Sequence, residues 1–189
     1  MAQVDLHEAA FNSGVGFDGE IFTIPLFNRI YKVRTTGFEV CEAGSEVTPP
    51  RILEILLMHY LAQADGTALS GMWIAYRQLP GGQLFERRFT NLVSRPLVEL
   101  FGGDIDGFSE SALALGGQSM ERMGDASFRF TALPRVPIAC SLSRGEDDIP
   151  PSINILFDET ASHYLDTEDL TILGGLMNSY LKACRKKDI

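Results

Sequence analysis

Cysteine and histidine are scarce, three of each in 189 residues. Cys41, Cys140 and Cys184 lie too far apart for any CxxC unit, and an odd count fits a reducing compartment with no disulfide framework. Three thiols also fall short of the four that an iron–sulfur cluster normally takes, so no such cluster is expected. His7, His59 and His163 are all remote from the cysteines in the chain, which leaves no local zinc motif. Lysine is rare as well: 4 Lys stand beside 12 Arg, and none occurs between Lys32 and Lys182. With 25 acidic against 16 basic residues the net charge is −9, which argues against nucleic acid, because phosphate binding rests on a basic excess. No apolar run reaches the roughly 18 to 20 residues of a membrane helix, so no membrane is expected as a partner. Met1 to Ala10 carries Asp5 and Glu8 and no basic region, which is not a secretion signal. A cytoplasmic location is the expectation. Phosphate loops of the GxxxxGK[ST] or GxGxxG type, the GxSxG elbow, HExxH and the EF-hand loop are all missing.

What is present is an ordinary globular composition, 45% hydrophobic and 22% charged. Alternation at Phe22, Ile24 and Leu26, a β-rich Ile30 to Arg34, and Phe38 with Val40 predict an antiparallel meander with breaks at Asn28-Arg29 and Thr36-Gly37. Thr48 is positioned to cap a helix that opens on Pro49 and Pro50. Apolar residues from Ile52 to Leu61 cover most of that helix and predict a central, buried element. Gly71 to Leu79 reads as extended, with Trp73, Ala75 and Arg77 on one side and Met72, Ile74 and Tyr76 on the other. Short helices follow, divided by Pro96 and by the pairs Gly102-Gly103 and Gly116-Gly117. Phe128, Phe130 and Ala132, then Ile138, Cys140 and Leu142, predict a β-hairpin. The final helix has Asp166 or Thr167 as its cap, acids in the first turn, and Lys182, Arg185, Lys186 and Lys187 at its end. This order predicts an α+β fold, with residues 1–19 as an N-terminal arm and 20–189 as one domain.

Four blocks occur in succession: GTALSGMWIAYRQLPGG from Gly66, ALGG from Ala114, FRFTALPRVPIAC from Phe128, and PPSINILFDETASHYLDTEDL from Pro150. Together they resemble a family known as the domain of unknown function numbered 3786, widespread in anaerobic bacteria and archaea. The resemblance implies no established activity. It implies a setting near anaerobic one-carbon and corrinoid metabolism. The cysteine-rich segment of some relatives is lacking here, and no catalytic residue carries over.

Arginines in or near these blocks suit an anionic ligand, since the planar guanidinium matches carboxylate and phosphate. Trp73, Tyr76, Arg77, Arg129 and Arg135 are the expected ligand-binding residues, in a pocket between the 71–82 segment and the 128–140 hairpin. A small-molecule or cofactor-binding accessory protein is therefore the first expectation. The cofactor is unknown; His59 offers one imidazole to a tetrapyrrole or corrinoid metal, but no motif supports this, and a core histidine bonded to backbone is commoner. A second expectation is an interaction subunit, as a homodimer or in a complex, docking through Gly174-Gly175 in the last helix, where glycine needs a compensating close approach. The third is an acid/base enzyme using Asp158, Glu159 and His163; were that stretch helical, Glu159 and His163 would share a face at i, i+4. The acidic stretch from Glu146 to Asp169 is more simply read as solvated loop and helix caps.

Overall fold

The computed structural model of the protein describes residues 5–45, 47–121, 123–146 and 148–185. Asp147 of the acidic stretch and Lys186 and Lys187 of the basic end lie outside these residues. The fold is α+β, with two antiparallel sheets and six α-helices among the described residues. The segment expected as an N-terminal arm contains α1 (Leu6–Ser13), capped by Asp5, and β1 (Gly16–Phe17). β1 pairs with β2 (Ile21–Leu26), followed by β3 (Arg29–Arg34) and β4 (Val40–Glu42), giving a sheet in the order β1-β2-β3-β4. Phe22, Ile24 and Leu26 point inward with Tyr31 and Val33, as the period-2 pattern requires. Pro25 is tolerated in β2 because β1 covers only Phe22 and Thr23, so the missing amide leaves no gap in a ladder.

The second sheet has the order β5-β9-β8-β7-β6, every pair antiparallel. Its strands are β5 (Trp73–Ala75), β6 (Gln118–Ser119), β7 (Ala126–Leu133), β8 (Val136–Ser143) and β9 (Ser152–Asp158). The hairpin expected from the alternation is β7–β8. β9, beside it, carries Ile153, Ile155 and Phe157 into the same core. The two sheets meet where the amide of Phe27 donates to the carbonyl of Ala132 at 2.9 Å. Phe27 adopts φ +52°, a conformation that costs a non-glycine residue energy. That bond, and edge contacts of its ring with Phe130 and Tyr180, hold it there.

Helices cover the inner face of the second sheet. α3 (Gly82–Phe89) runs through one wide π turn at residues 90–94 into α4 (Arg95–Phe101), so Pro96 sits at the start of α4 and the helical path continues past it. α5 (Ile105–Ala114) follows, and the Phe101, Phe108 and Phe128 rings meet edge to face at 5.6 Å between successive pairs. α6 (Thr167–Cys184) begins on the Asp166 cap and packs on α2 (Arg51–Gln63), α3, α4, α5 and the π turn. No helix among the described residues is long and apolar enough to cross a membrane.

Three local expectations are corrected. α2 begins on Pro50 with no side-chain cap, so Thr48 does not cap it. Only Leu53, Leu56, Leu57, Tyr60 and Leu61 of α2 are buried, one stripe at helical spacing, and Ile52 and Ile55 are exposed. The extended run from Gly71 stops at Ala75, because residues 76–78 turn into a 3-10 helix that swings Tyr76 inward and Arg77 outward.

Candidate functional site

The outer face of the second sheet carries a cleft of about 350 Å³ lined by Trp73 from β5, Asp158 from the end of β9, Pro137 from β8, Arg129 from β7 and Gln118 from β6, with Leu69 and Met120 from flanking loops. The sheet order explains the convergence: Trp73 pairs with Asp158 at one edge, and Arg129 pairs with Gln118 at the other. Trp73 and Arg129 are separated by three strand spacings, about 14 Å across the sheet, and by two residues along it. Arg129 is exposed, and neither an ion pair nor a hydrogen bond engages its guanidinium among the described residues.

Asp158 shapes this cleft. Its buried carboxylate accepts from the Ser70 amide and hydroxyl at 3.2 Å, the Gly71 amide at 2.8 Å, and the Thr160 amide and hydroxyl at 3.1 and 2.6 Å. Burial pushes its carboxyl up, but these donors together outweigh burial and hold it below the ordinary aspartate value. Such a group stays ionised and fully engaged, with no proton to deliver. It ties the loop before β5 to the end of β9, and the Glu159 amide donating to the Met72 carbonyl at 2.9 Å completes the clamp.

The other expected residues lie elsewhere. Tyr76 is a core pillar: its ring stacks on Phe89 at 4.0 Å between centroids, and its hydroxyl donates to the Thr167 carbonyl at 3.1 Å beside the Thr171 hydroxyl. Arg77 is exposed on the 3-10 turn. Arg135 occupies the β7–β8 turn, where its amide donates to the Tyr60 hydroxyl at 3.0 Å and its side chain lies against Gly14 at the end of α1. Of the five, the cleft gathers Trp73 and Arg129. Residues 159–163 form a 3-10 turn, whose three-residue period sets Glu159 and His163 on different sides, so the shared α-helical face does not arise. Glu159 is half-buried at the first position of that turn. His163 is exposed and pairs with Asp65 at 2.7 Å and Thr67 at 3.2 Å. That imidazole, and then Thr67, hold Asp65 down at about 2. Asp158, Glu159 and His163 therefore share no hydrogen bond.

A second cavity, of about 510 Å³, lies between α2, the π turn and α6. His59 opens onto it with a side chain 46% exposed, and its Nδ1 is 2.7 Å from Oδ2 of buried Asp169. His59 is thus neither a core residue nor a partner of backbone, because the exposed Ile52 and Ile55 place this side of α2 outward. Two acids assigned to solvated loop or cap, Asp158 and Asp169, are buried. Gly174 has its close approach within the chain: a Cβ there would lie 3.0 Å from Val93 Cγ1 and 3.3 Å from Phe89 Cε2. Gly175 faces open space at the cavity.

Sequence reading missed Gln118 and Met120, whose two-residue strand and loop carry no periodic signal, and the His59–Asp169 pair, separated by 110 positions. No group of three or more His, Cys, Asp or Glu able to hold a metal ion occurs among the described residues. No curated protein and no solved structure matches the chain. Residues 5–179 match the family described as Domain of unknown function (DUF3786), and the chain belongs to that family.

Proposed function

We propose that the protein is a cytoplasmic accessory protein of anaerobic metabolism that holds a small anionic molecule in the cleft of the second sheet. Arg129 pairs with the acid group and Trp73 packs against the apolar part. The observation that carries this reading is the guanidinium of Arg129, unpaired among the described residues, in one cleft with the half-buried Trp73. A charge-assisted hydrogen bond from arginine is among the stronger polar contacts, and an aromatic wall adds contact area at low entropic cost. Three free cysteines fit a reducing compartment. The anaerobic setting rests on the family resemblance alone.

Trp73 is the only tryptophan, so its fluorescence reports on the cleft directly. Benzoate and phenyl phosphate are expected to change that fluorescence saturably, and inorganic phosphate, which lacks a ring, to bind more weakly. Arg129→Leu should weaken benzoate at least about tenfold, the worth of one charge-assisted hydrogen bond. Arg77→Leu, on the 3-10 turn outside the cleft, should leave it unchanged. Equal affinity in the wild type and in folded Arg129→Leu protein, or no saturable response to any of the three, would overturn the proposal.

A further inference from the structure

The cavity between α2 and α6 differs in chemistry from the cleft on the sheet. One side of it is aliphatic: Ile52, Ile55 and Leu92 are 48, 38 and 51% exposed, and Ile172 joins them. Within this apolar setting stands one oriented histidine. Asp169 is buried, and the one hydrogen bond to its carboxylate among the described residues comes from His59. An ionised carboxylate only accepts, so Nδ1 of His59 carries the hydrogen, and in the neutral imidazole Nε2 then keeps a lone pair. Nε2 has no hydrogen-bond partner among the described residues. A volume of about 510 Å³ falls within the range of small-molecule sites.

The charges around the cavity select the ligand. Asp166 at the cap of α6, Glu168 in its first turn and Asp169 beneath them outnumber the single cation, Arg88 of α3, which Glu168 already engages at 3.0 Å. An anion would meet this acidic rim, and a molecule without a polar group would leave the imidazole acceptor unpaired. We infer that this cavity is a second ligand site, taking a neutral, largely apolar molecule whose hydroxyl donates to Nε2 of His59. Asp169 is the positioning residue that fixes the tautomer. Gly175 keeps the floor open, since no atom lies within 4 Å of where its Cβ would stand.

The test uses 2-naphthol as probe and naphthalene as its counterpart without the hydroxyl. Affinities are measured by calorimetry, and the His59 nitrogen resonances are followed by NMR. The wild type is expected to bind 2-naphthol about tenfold more tightly than naphthalene, the worth of one hydrogen bond in an apolar site, with a shift of the Nε2 resonance. His59→Phe keeps a ring at the position; it should bind naphthalene as before and lose the preference for naphthol. Gly175→Leu, on the exposed side of α6, should exclude both probes and so reports on the site should His59→Phe fail to fold. Arg129→Leu should change neither affinity, which separates this site from the cleft. Equal affinity of the two probes for the wild type, no binding of either, a preference that survives His59→Phe, or binding undiminished in Gly175→Leu would overturn the inference.

Discussion

Replacing Gly175 by alanine adds a methyl group to the interior of α6 at a point with no atom within 4 Å. Alanine is favoured over glycine there by about 1 kcal/mol, because glycine surrenders more backbone freedom on entering a helix. Gly175→Ala should therefore stabilise the protein by roughly 0.5–1 kcal/mol. The same change one residue earlier meets Val93 Cγ1 at 3.0 Å, Val93 Cγ2 at 3.2 Å and Phe89 Cε2 at 3.3 Å. Neither neighbour has room to yield. Val93 is fully buried in the π turn, and Phe89 is wedged between Tyr76, at 4.0 Å between centroids, and Phe157, at 6.0 Å. Overpacking of a filled core costs about 1–3 kcal/mol, more than the helical gain, so Gly174→Ala should destabilise by about 1 kcal/mol net. Adjacent alanines then differ by about 2 kcal/mol, or roughly 4–8 °C in Tm for a chain of this length. Urea unfolding followed by Trp73 fluorescence measures both, with equal m-values confirming that stability alone has changed. A Gly174→Ala protein stabilised as much as Gly175→Ala would refute the close packing of α6 on the π turn.

The Asp65–His163 pair carries a pH signature. Its carboxyl is depressed to about 2 by the imidazole and then by Thr67, so its contribution is present above the unfolded aspartate value and disappears as pH falls toward 2. Both side chains are about half exposed, which limits the effect to less than about 1 kcal/mol; urea curves of Asp65→Asn should meet the wild type near pH 2 and fall below it above about pH 4. Burial pushes the Cys140 thiol up to about 12, whereas Cys41 is exposed. A thiol reagent at pH 8 should modify Cys41 rapidly in the native protein and Cys140 only in urea; native-state labelling of Cys140 at the rate of Cys41 would contradict its place in the core.

Much of the fold was legible because its signals are local. Alternation at Phe22, Ile24 and Leu26 and again at Phe128, Phe130 and Ala132 reports a strand with one buried face, and each is a strand here. Asp166 as a helix cap was equally readable, since capping joins residues three apart. β9 shows the same alternation at Ile153, Ile155 and Phe157, yet the flanking Pro150-Pro151 and the acids around it resemble a loop and mask the strand. The candidate site was legible only in part. Trp73 and Arg129 stand out in the sequence by residue type and by their place in the family-resembling blocks, and the strand order brings them into one cleft. Tyr76, Arg77 and Arg135 stand out by the same criteria, and tertiary packing sends each elsewhere: into the core, to the surface and to the end of α1.

From residues alone came the α+β class, the meander, the hairpin, and the absence of local metal and phosphate motifs. Each depends on spacing within a few residues or on composition, and both survive without knowledge of the fold. Tertiary structure decided which acids are buried, which face of α2 meets solvent, and why two neighbouring glycines differ. It also decided that His59 and Asp169 meet across 110 positions. Those outcomes turn on which helix lands against which sheet, set by the burial of whole apolar faces rather than by any one residue. A polar side chain is then carried to wherever its element packs, and its chemistry follows from its new neighbours.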